Sequence, residues 1–589
     1  MSQVGEAYNP PTLEPKPDDP KNKDPLTIRI ILMCDGTNNN RDNIAAREKF
    51  EAMTGESEAH KKFGGKDSSF NNGRTNIASM EPHVVEGEEV SGYSFVVKVY
   101  VEGQGTKKNE EDSVKFGKGL AIDSTGVYQR ARTGINDALN KLNLELLLKK
   151  PPEDYFIRQV DVDVFGFSRG AATARHAIHV ITTQETITVT DPTGYGAQTV
   201  VVTQPLFERL RTTHGYREIR EDQVKIIFAG LYDTVVSVFA SQLAPAWIAN
   251  NALSQRAVAK AKYALHLAAA DEHRMDFPLH TIKSSKDAGK GAEYYFPGVH
   301  SDIGGSYNLA NDEFLVEGQE KPNQEIGELK VVGSQDECEK EKARLMIEAG
   351  YRESDFHVYP ITNNWIFSDT YRLVAYRNIQ DLEYTRPSDE VDRIINRGQV
   401  SDLKKDMANL VEDGWYNNNN PRRPQIWIET DYLATAVRTL NTAVIATAVN
   451  PLLAIVKGSP KSGKLIVNRR GITSGYCNLP LKIMVEHSRK QAIEVDGKLD
   501  NRISTILKEV REFDLLESFL RGYMAEKGPT GSHPNDWNDI NNAIDWYPGI
   551  KELRNKHLHM SSAFSTPVAD FGFTPRIKGH LRRRFYYEG

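Results

Sequence analysis

Between Val160 and Ala177 the chain reads Val160-Asp161-Val162-Asp163-Val164-Phe165, then Gly166-Phe167-Ser168-Arg169-Gly170, then Ala171-Ala172-Thr173-Ala174-Arg175-His176-Ala177. The β-branched alternation of the first piece predicts a strand, and the small residues of the last predict a helix. A strand can enter a helix through Gly-x-Ser-x-Gly by a sharp turn, because the glycines let backbone approach backbone where side chains would collide. Such a turn lifts the serine hydroxyl above the carboxyl edge of a parallel sheet and aims the next N–H, that of Arg169, at the same space. The segment therefore predicts an α/β fold with a mainly parallel sheet and a nucleophile elbow. The competing reading is an ordinary strand-to-helix junction with Ser168 as helix N-cap.

The flanking sequence repeats the strand–helix alternation expected of a parallel sheet. Strands are predicted at Ile28–Met33, Phe95–Val101, Val224–Ala229 and Glu293–Phe296, and helices over the Ile135, Leu139, Leu142, Leu146 series and around residues 256–270. Residues 186–202 read as an inserted hairpin. Polar residues follow the strands: Asp35-Gly36-Thr37-Asn38 after the first, Asp233 after Val224–Ala229, and His300 after Glu293–Phe296. Catalytic groups collect at such carboxyl ends.

A serine hydroxyl is a weak nucleophile until an imidazole accepts its proton, and the imidazole needs a carboxylate to hold its tautomer. Ser168, Asp233 and His300 supply the three in the chain order Ser, Asp, His, with His300 as base and Asp233 as the orienting acid. Asp302 is the alternative carboxylate, and His557 and His559 are the alternative bases. The oxyanion donors are expected from the Arg169 N–H and from Gly36 and Thr37 in the loop after the first strand. This chemistry calls for no cofactor and no metal. The three cysteines, Cys34, Cys338 and Cys477, form no C-x-x-C pair, so neither a disulfide framework nor a thiolate zinc site is readable.

At 589 residues the chain exceeds one ordinary core. Expected units are a disordered arm over 1–25, an α/β catalytic domain over 26–310, a linker or excursion over 311–345, and a mainly α-helical region over 346–589 that binds membrane or a partner. A formal net charge of −6 with 26% charged residues argues against a nucleic-acid binder. The opening residues lack a basic, then apolar, signal pattern, so folding in a reducing cytoplasm is expected. Two uncharged stretches, Thr234–Gln255 and Thr439–Val456, read as buried or interfacial helices; in the first, Phe239, Leu243 and Trp247 recur at helical spacing and are the expected lipid contact. Gly458-Ser459-Pro460-Lys461-Ser462-Gly463-Lys464 matches most of a phosphate-binding loop, but Leu465 replaces the required hydroxyl and a strand-like run follows, so it reads as a surface turn.

Four motifs together, Cys34-Asp35-Gly36-Thr37-Asn38-Asn39, Gly166-Phe167-Ser168-Arg169-Gly170-Ala171, Gly230-Leu231-Tyr232-Asp233-Thr234-Val235 and Phe296-Pro297-Gly298-Val299-His300-Ser301-Asp302-Ile303-Gly304-Gly305, resemble the DUF2235 domain, the catalytic domain of the Tle1 family of type VI secretion lipase effectors. Ala264-Leu265-His266-Leu267-Ala268 adds to the likeness, which covers residues 26–310; Tyr232 stands where the family more often has Trp. The resemblance implies an α/β-hydrolase fold and an antibacterial phospholipase of A1 or A2 type. It further implies carriage on a VgrG spike protein, action at the target cell's periplasm and membrane, and a cognate immunity protein. The residues themselves also leave open a cytoplasmic serine esterase or thioesterase, or a membrane-disrupting or adaptor protein with a vestigial site.

Overall fold

The computed structural model describes residues 7–12, 19–51, 68–112, 126–149, 154–190, 197–212, 219–236, 254–272, 274, 277–307, 325–348, 356–362, 370–378, 392–415, 425–428, 462–468, 475–508, 510–527, 547–559 and five short pieces between 563 and 587. The α/β layer begins with Asp24–Cys34 (β1), helices Arg41–Glu51 (α1) and Asn76–Met80 (α2), and strands Gly87–Val90 (β2) and Tyr93–Val101 (β3). Helix Val127–Lys149 (α3), strand Tyr155–Phe167 (β4) and helix Arg169–Thr182 (α4) follow. Next come the hairpin Glu185–Thr190 (β5) and Ala197–Thr203 (β6), helix Leu206–Thr212 (α5), and strands Val224–Tyr232 (β7), Tyr263–Ala269 (β8) and Leu279–His280 (β9). Helix Lys283–Asp287 (α6), strand Gly291–Phe296 (β10) and the short helix His300–Gly304 (α7) complete it.

Seven strands form one sheet in the order β10-β8-β7-β4-β1-β3-β2. All neighbours are parallel except β2 against β3. The chain moves outward from β1 to β3 on one side and then from β4 to β10 on the other. The crevice between β1 and β4 is therefore the switch point where an open parallel sheet binds ligands.

Side chains of a strand alternate between faces, and the alternation here feeds two apolar layers. Ile30, Leu32, Val162 and Val164 point to the side covered by α3, α4 and α5. Ile31, Met33, Phe165 and Phe167 point to the other. That second face is covered chiefly from far along the chain, by helices introduced below.

Residues beyond 310 depart from the sequence expectation. The 311–345 segment holds strand Glu325–Gly333 (β11) and most of helix Gln335–Glu348 (α8). The 346–589 region, expected to be mainly helical, contains Phe356–Thr362 (β12), Thr370–Asn378 (β13), Asp392–Gln399 (β14), Gln425–Ile428 (β15) and Ser462–Asn468 (β16). These make two antiparallel three-stranded sheets, β11-β13-β12 and β14-β16-β15. Runs such as Tyr371-Arg372-Leu373-Val374 alternate with period two and suit strands. β16 contains Lys464 and Leu465 of the false phosphate loop.

Helix Val400–Glu412 (α9) leads toward the helices Asn478–Lys490 (α10), Gly497–Lys508 (α11), Arg511–Lys527 (α12) and Ile550–Lys556 (α13). Leu481, Met484 and Val485 of α10, Leu499 and Ile503 of α11, Phe513 and Leu516 of α12 and Leu553 of α13 all belong to the apolar layer on the second face of the seven-stranded sheet. A buried ion pair fastens the same junction. Arg29 of β1 donates to Asp163 of β4 at 2.6 and 3.1 Å and to the carbonyls of Gln491 and Ala492 at 2.7 and 2.8 Å. Across the boundary expected at residue 310, helices α10 to α13 thus share one apolar core with the seven-stranded sheet. The arm expected to be disordered is docked at Tyr8, which donates its N–H to Lys490 and its hydroxyl to Asp161.

The segment around 256–270, expected to be a helix, is a 3-10 turn, Gln255–Lys260, followed by β8. Among the described residues no helix is long and apolar enough to cross a membrane. Phe239, Leu243 and Trp247, with the stretch 439–456, lie outside the described residues. Val235 and Val236 are buried.

Candidate active site

Ser168 is the single residue between β4 and α4, with φ 58° and ψ −128°. A non-glycine residue held there stores on the order of 1–3 kcal/mol of strain. The turn is pinned by Ser168 N–H to the Tyr232 carbonyl at 3.1 Å and by Ala171 N–H to the Ser168 carbonyl at 3.0 Å. The hydroxyl makes no capping hydrogen bond to α4, which removes the N-cap reading. Both glycines are sterically required. A Cβ on Gly166 would lie 2.4 Å from the Gly170 carbonyl oxygen, and one on Gly170 would lie 2.3 Å from that of Asp35. The second contact brings the start of α4 against the end of β1.

Asp233 follows β7, one strand away, and is fully buried. Its φ of 39° is also left-handed. Its N–H donates to the Leu267 carbonyl at 2.8 Å, its Oδ1 accepts the Ala269 N–H at 2.8 Å, and its Oδ2 faces His300 Nδ1 at 2.5 Å. His300 opens α7 after β10. Its ring lies 4.6 Å from that of Phe167, the neighbour of Ser168, and edge-on to Phe277 at 4.9 Å. The carboxyl ends of β4, β7 and β10 thus carry Ser168, Asp233 and His300 to one edge of the sheet, with Asp233 and His300 paired.

The alternatives are committed elsewhere. Asp302 accepts from His559 Nδ1 at 2.7 Å and from the His559 N–H at 3.1 Å, not from His300. His557 lies 3.9 Å from Glu512 and 4.9 Å from the Phe513 ring, and burial pushes its imidazolium down to about 4.

The loop after β1 divides the expected oxyanion donors. Gly36 donates its N–H to the Asp35 carboxylate at 2.7 Å and so does not offer it to the site. Asp35 also accepts from the Thr75 and Tyr100 hydroxyls, at 2.7 and 2.5 Å. Asn38 donates its N–H to the Gln104 carbonyl at 3.1 Å, and Gln104 Nε2 donates to Thr173 of α4 at 2.7 Å. Thr37 lies inside this fixed loop, with its hydroxyl 3.4 Å from Gln104 Oε1. Arg169 is the first residue of α4.

Several residues around His300 were not foreseen. Glu272 accepts the His300 N–H at 3.2 Å and pairs with Arg274, which donates to it from Nε and Nη2 at 2.9 Å each. The Arg274 guanidinium lies 3.4 Å from the centre of the Phe277 ring. Asp271 accepts the Gly298 N–H at 2.8 Å and Arg554 at 2.9 Å. Tyr476 donates its hydroxyl to the Pro297 carbonyl at 2.7 Å. The loop delivering His300 is therefore held by Tyr476 directly, by Arg554 through Asp271, and by His559 through Asp302. The signal that could have found Asp271, Glu272 and Arg274 is their place just after β8, hidden by reading that strand as a helix.

His300 is held below the usual histidine range. Burial lowers it most, the hydrogen bond and charge of Asp233 raise it, Arg274 lowers it and Glu272 raises it.

Residues 28–320 match the family described as the catalytic domain of Tle1-like phospholipase effectors of the type VI secretion system. No curated protein matches the sequence. Among solved structures, the Tle1 effector bound to the VgrG spike from the type 6 secretion system is similar over 99% of this chain and 100% of that one, with 16% identity and a TM-score of 0.43. An uncharacterized protein from Pseudomonas aeruginosa is similar over 51% of this chain and 44% of that one, with 20% identity and a TM-score of 0.28.

Proposed function

Through residues 28–320 the chain belongs to the Tle1-like family of type VI secretion phospholipase effectors, and from that premise we propose that it hydrolyses the acyl esters of glycerophospholipids by a Ser168–His300–Asp233 mechanism. The observation that carries this reading is the buried His300–Asp233 pair at 2.5 Å, next to a strained Ser168 whose hydroxyl caps nothing.

His300 donates Nδ1–H to Asp233, which leaves Nε2 as the proton acceptor. The Ser168 Oγ–H proton passes to Nε2 while Oγ bonds to the acyl carbonyl carbon. The carbonyl oxygen becomes an oxyanion and is stabilised by the N–H groups of Arg169 and Thr37. Collapse breaks the ester bond, and the departing lysophospholipid alkoxide takes the proton from His300. Water, deprotonated by the same imidazole, then releases the fatty acid and restores Ser168.

Delivery on a VgrG-type spike protein, killing of a target bacterium at its periplasm and membrane, and protection of the producer by an immunity protein complete the proposed role, carried over from the family resemblance. The test is a digest of defined phospholipids resolved by mass spectrometry, with Ser168→Ala alongside. Lysophospholipid and free fatty acid in equal amounts are expected from the unmodified protein alone, and the retained chain identifies A1 or A2 cleavage. Turnover of soluble esters or thioesters with intact phospholipid would replace this reading with the esterase one.

The electrostatics give the pH dependence a sign. The base must be neutral to work, and its pKa lies below the ordinary histidine value, so kcat/KM should be flat through neutrality and fall only on further acidification. Arg274 disfavours the imidazolium, and its loss also leaves Glu272 without its cation. Both changes raise the base, so Arg274→Gln should move the acid limb to higher pH, read from a rate profile between about pH 4 and 9.

A further inference from the structure

We propose that His266 of β8 is a positioning residue for Asp233, acting through the Thr234 backbone, with Glu293 of β10 fixing its tautomer. The inference rests on the Ser168–His300–Asp233 reading. It begins from the strain at Asp233: a carboxylate at φ 39° keeps its aim only if the surrounding backbone holds it.

Thr234 supplies that hold. Its N–H donates to His266 Nε2 at 3.0 Å, and its carbonyl accepts the His280 N–H at 2.9 Å. An imidazole nitrogen that accepts a hydrogen bond carries no proton, so the His266 proton sits on Nδ1. Nδ1 lies 2.8 Å from Glu293 Oε2 and donates to it. Oε2 also accepts the Ile282 N–H at 2.9 Å, and Oε1 accepts the Tyr295 hydroxyl at 3.0 Å. His266 and Glu293 are both fully buried. Burial raises the Glu293 carboxyl, and the hydrogen bond from His266, the charge of Lys286 and the Ile282 N–H act against that, which suits an anionic acceptor.

A second His–carboxylate pair thus lies beneath the first. It touches no reacting atom. Because Glu293 also binds the Ile282 N–H, two residues past His280, it ties together both sides of the Thr234 hold: His266 at the N–H and β9 at the carbonyl. A core histidine kept only for packing would need neither a fixed tautomer nor an acceptor aimed at the residue after the catalytic acid.

Two polar variants separate positioning from packing. His266→Gln carries an amide oxygen far enough out to accept the Thr234 N–H. His266→Asn has a shorter amide that can meet Glu293 but not Thr234. On a soluble ester, His266→Asn should lower kcat by about 10- to 100-fold with little change in KM, while His266→Gln should stay within about fivefold of the unmodified protein, since small misplacements of a catalytic group cost on this scale. The rate of fluorophosphonate labelling at Ser168 should follow kcat in both variants, and their melting temperatures should be similar. Equal kcat in the two variants, or a less active Gln variant, overturns the assignment. Ser168→Ala in the same series separates the two readings. If it retains turnover, the proposed mechanism fails. If it is dead while the Asn variant matches the Gln variant, only the role of His266 fails.

Discussion

Ser168→Ala should lower turnover on phospholipid and on a short soluble ester by about 10⁴-fold or more, and adding His300→Ala should cost little further, because members of such a triad act as a unit. The variant should fold normally: the lost hydroxyl makes no capping bond to α4, and the strained turn is held by backbone bonds to Tyr232 and Ala171. A fluorophosphonate should label the unmodified protein at Ser168 and fail to label the alanine variant. Asp233→Asn should lose about 10⁴-fold through the wrong imidazole tautomer. Asp302→Asn should lose far less, because Asp302 faces His559. Activity surviving in Ser168→Ala, or a larger loss in Asp302→Asn than in Asp233→Asn, would contradict the assignment.

A fragment ending at residue 320 should fail to fold, although it contains every proposed catalytic residue. On the sheet face against which α10 packs, backed by α11 and α12, Ile31, Met33, Phe165, Phe228, Tyr263, Leu265 and Tyr295 are buried in the intact chain. Burial of such side chains is worth about 1.5–3 kcal/mol each, so exposing most of this face removes about 10 kcal/mol or more. A domain's whole stability is roughly 5–15 kcal/mol. Arg29 and Asp163 would also lose the Gln491 and Ala492 carbonyls that complete the hydrogen bonding of their buried pair. The fragment is expected to bind a hydrophobic dye, to melt without a cooperative transition and to show no esterase activity. Cooperative melting with near-normal turnover on a soluble ester would show that the C-terminal helices are a separate unit.

Much of the site was legible because it is local. The strands before Ser168 and His300 carry β-branched or aromatic runs that end in turn residues, and the Gly166 and Gly170 spacing marks a close backbone approach. β8 was not legible. Tyr263-Ala264-Leu265-His266-Leu267-Ala268-Ala269 is buried on both faces, so it has no polar alternation, and its Ala and Leu content favours a helix. With β8 went Asp271, Glu272 and Arg274 at its end. That the Gly36 N–H is taken up by the Asp35 carboxylate turning back on it is a side-chain choice that no pattern encodes.

The sequence by itself determined strands β1, β3, β4, β7 and β10 of the seven-stranded sheet, and the three strand ends where Ser168, Asp233 and His300 stand. Only the tertiary structure decided which carboxylate His300 meets, why Asp302 is taken by His559, and that helices beyond residue 475 close the catalytic sheet. The reason is range. Periodicity and turn chemistry act over a few residues, whereas Arg554 reaches Asp271 across 283 positions and His559 reaches Asp302 across 257. Contacts at that separation leave no periodic trace in the chain and are selected only when the second face of the sheet has to be covered.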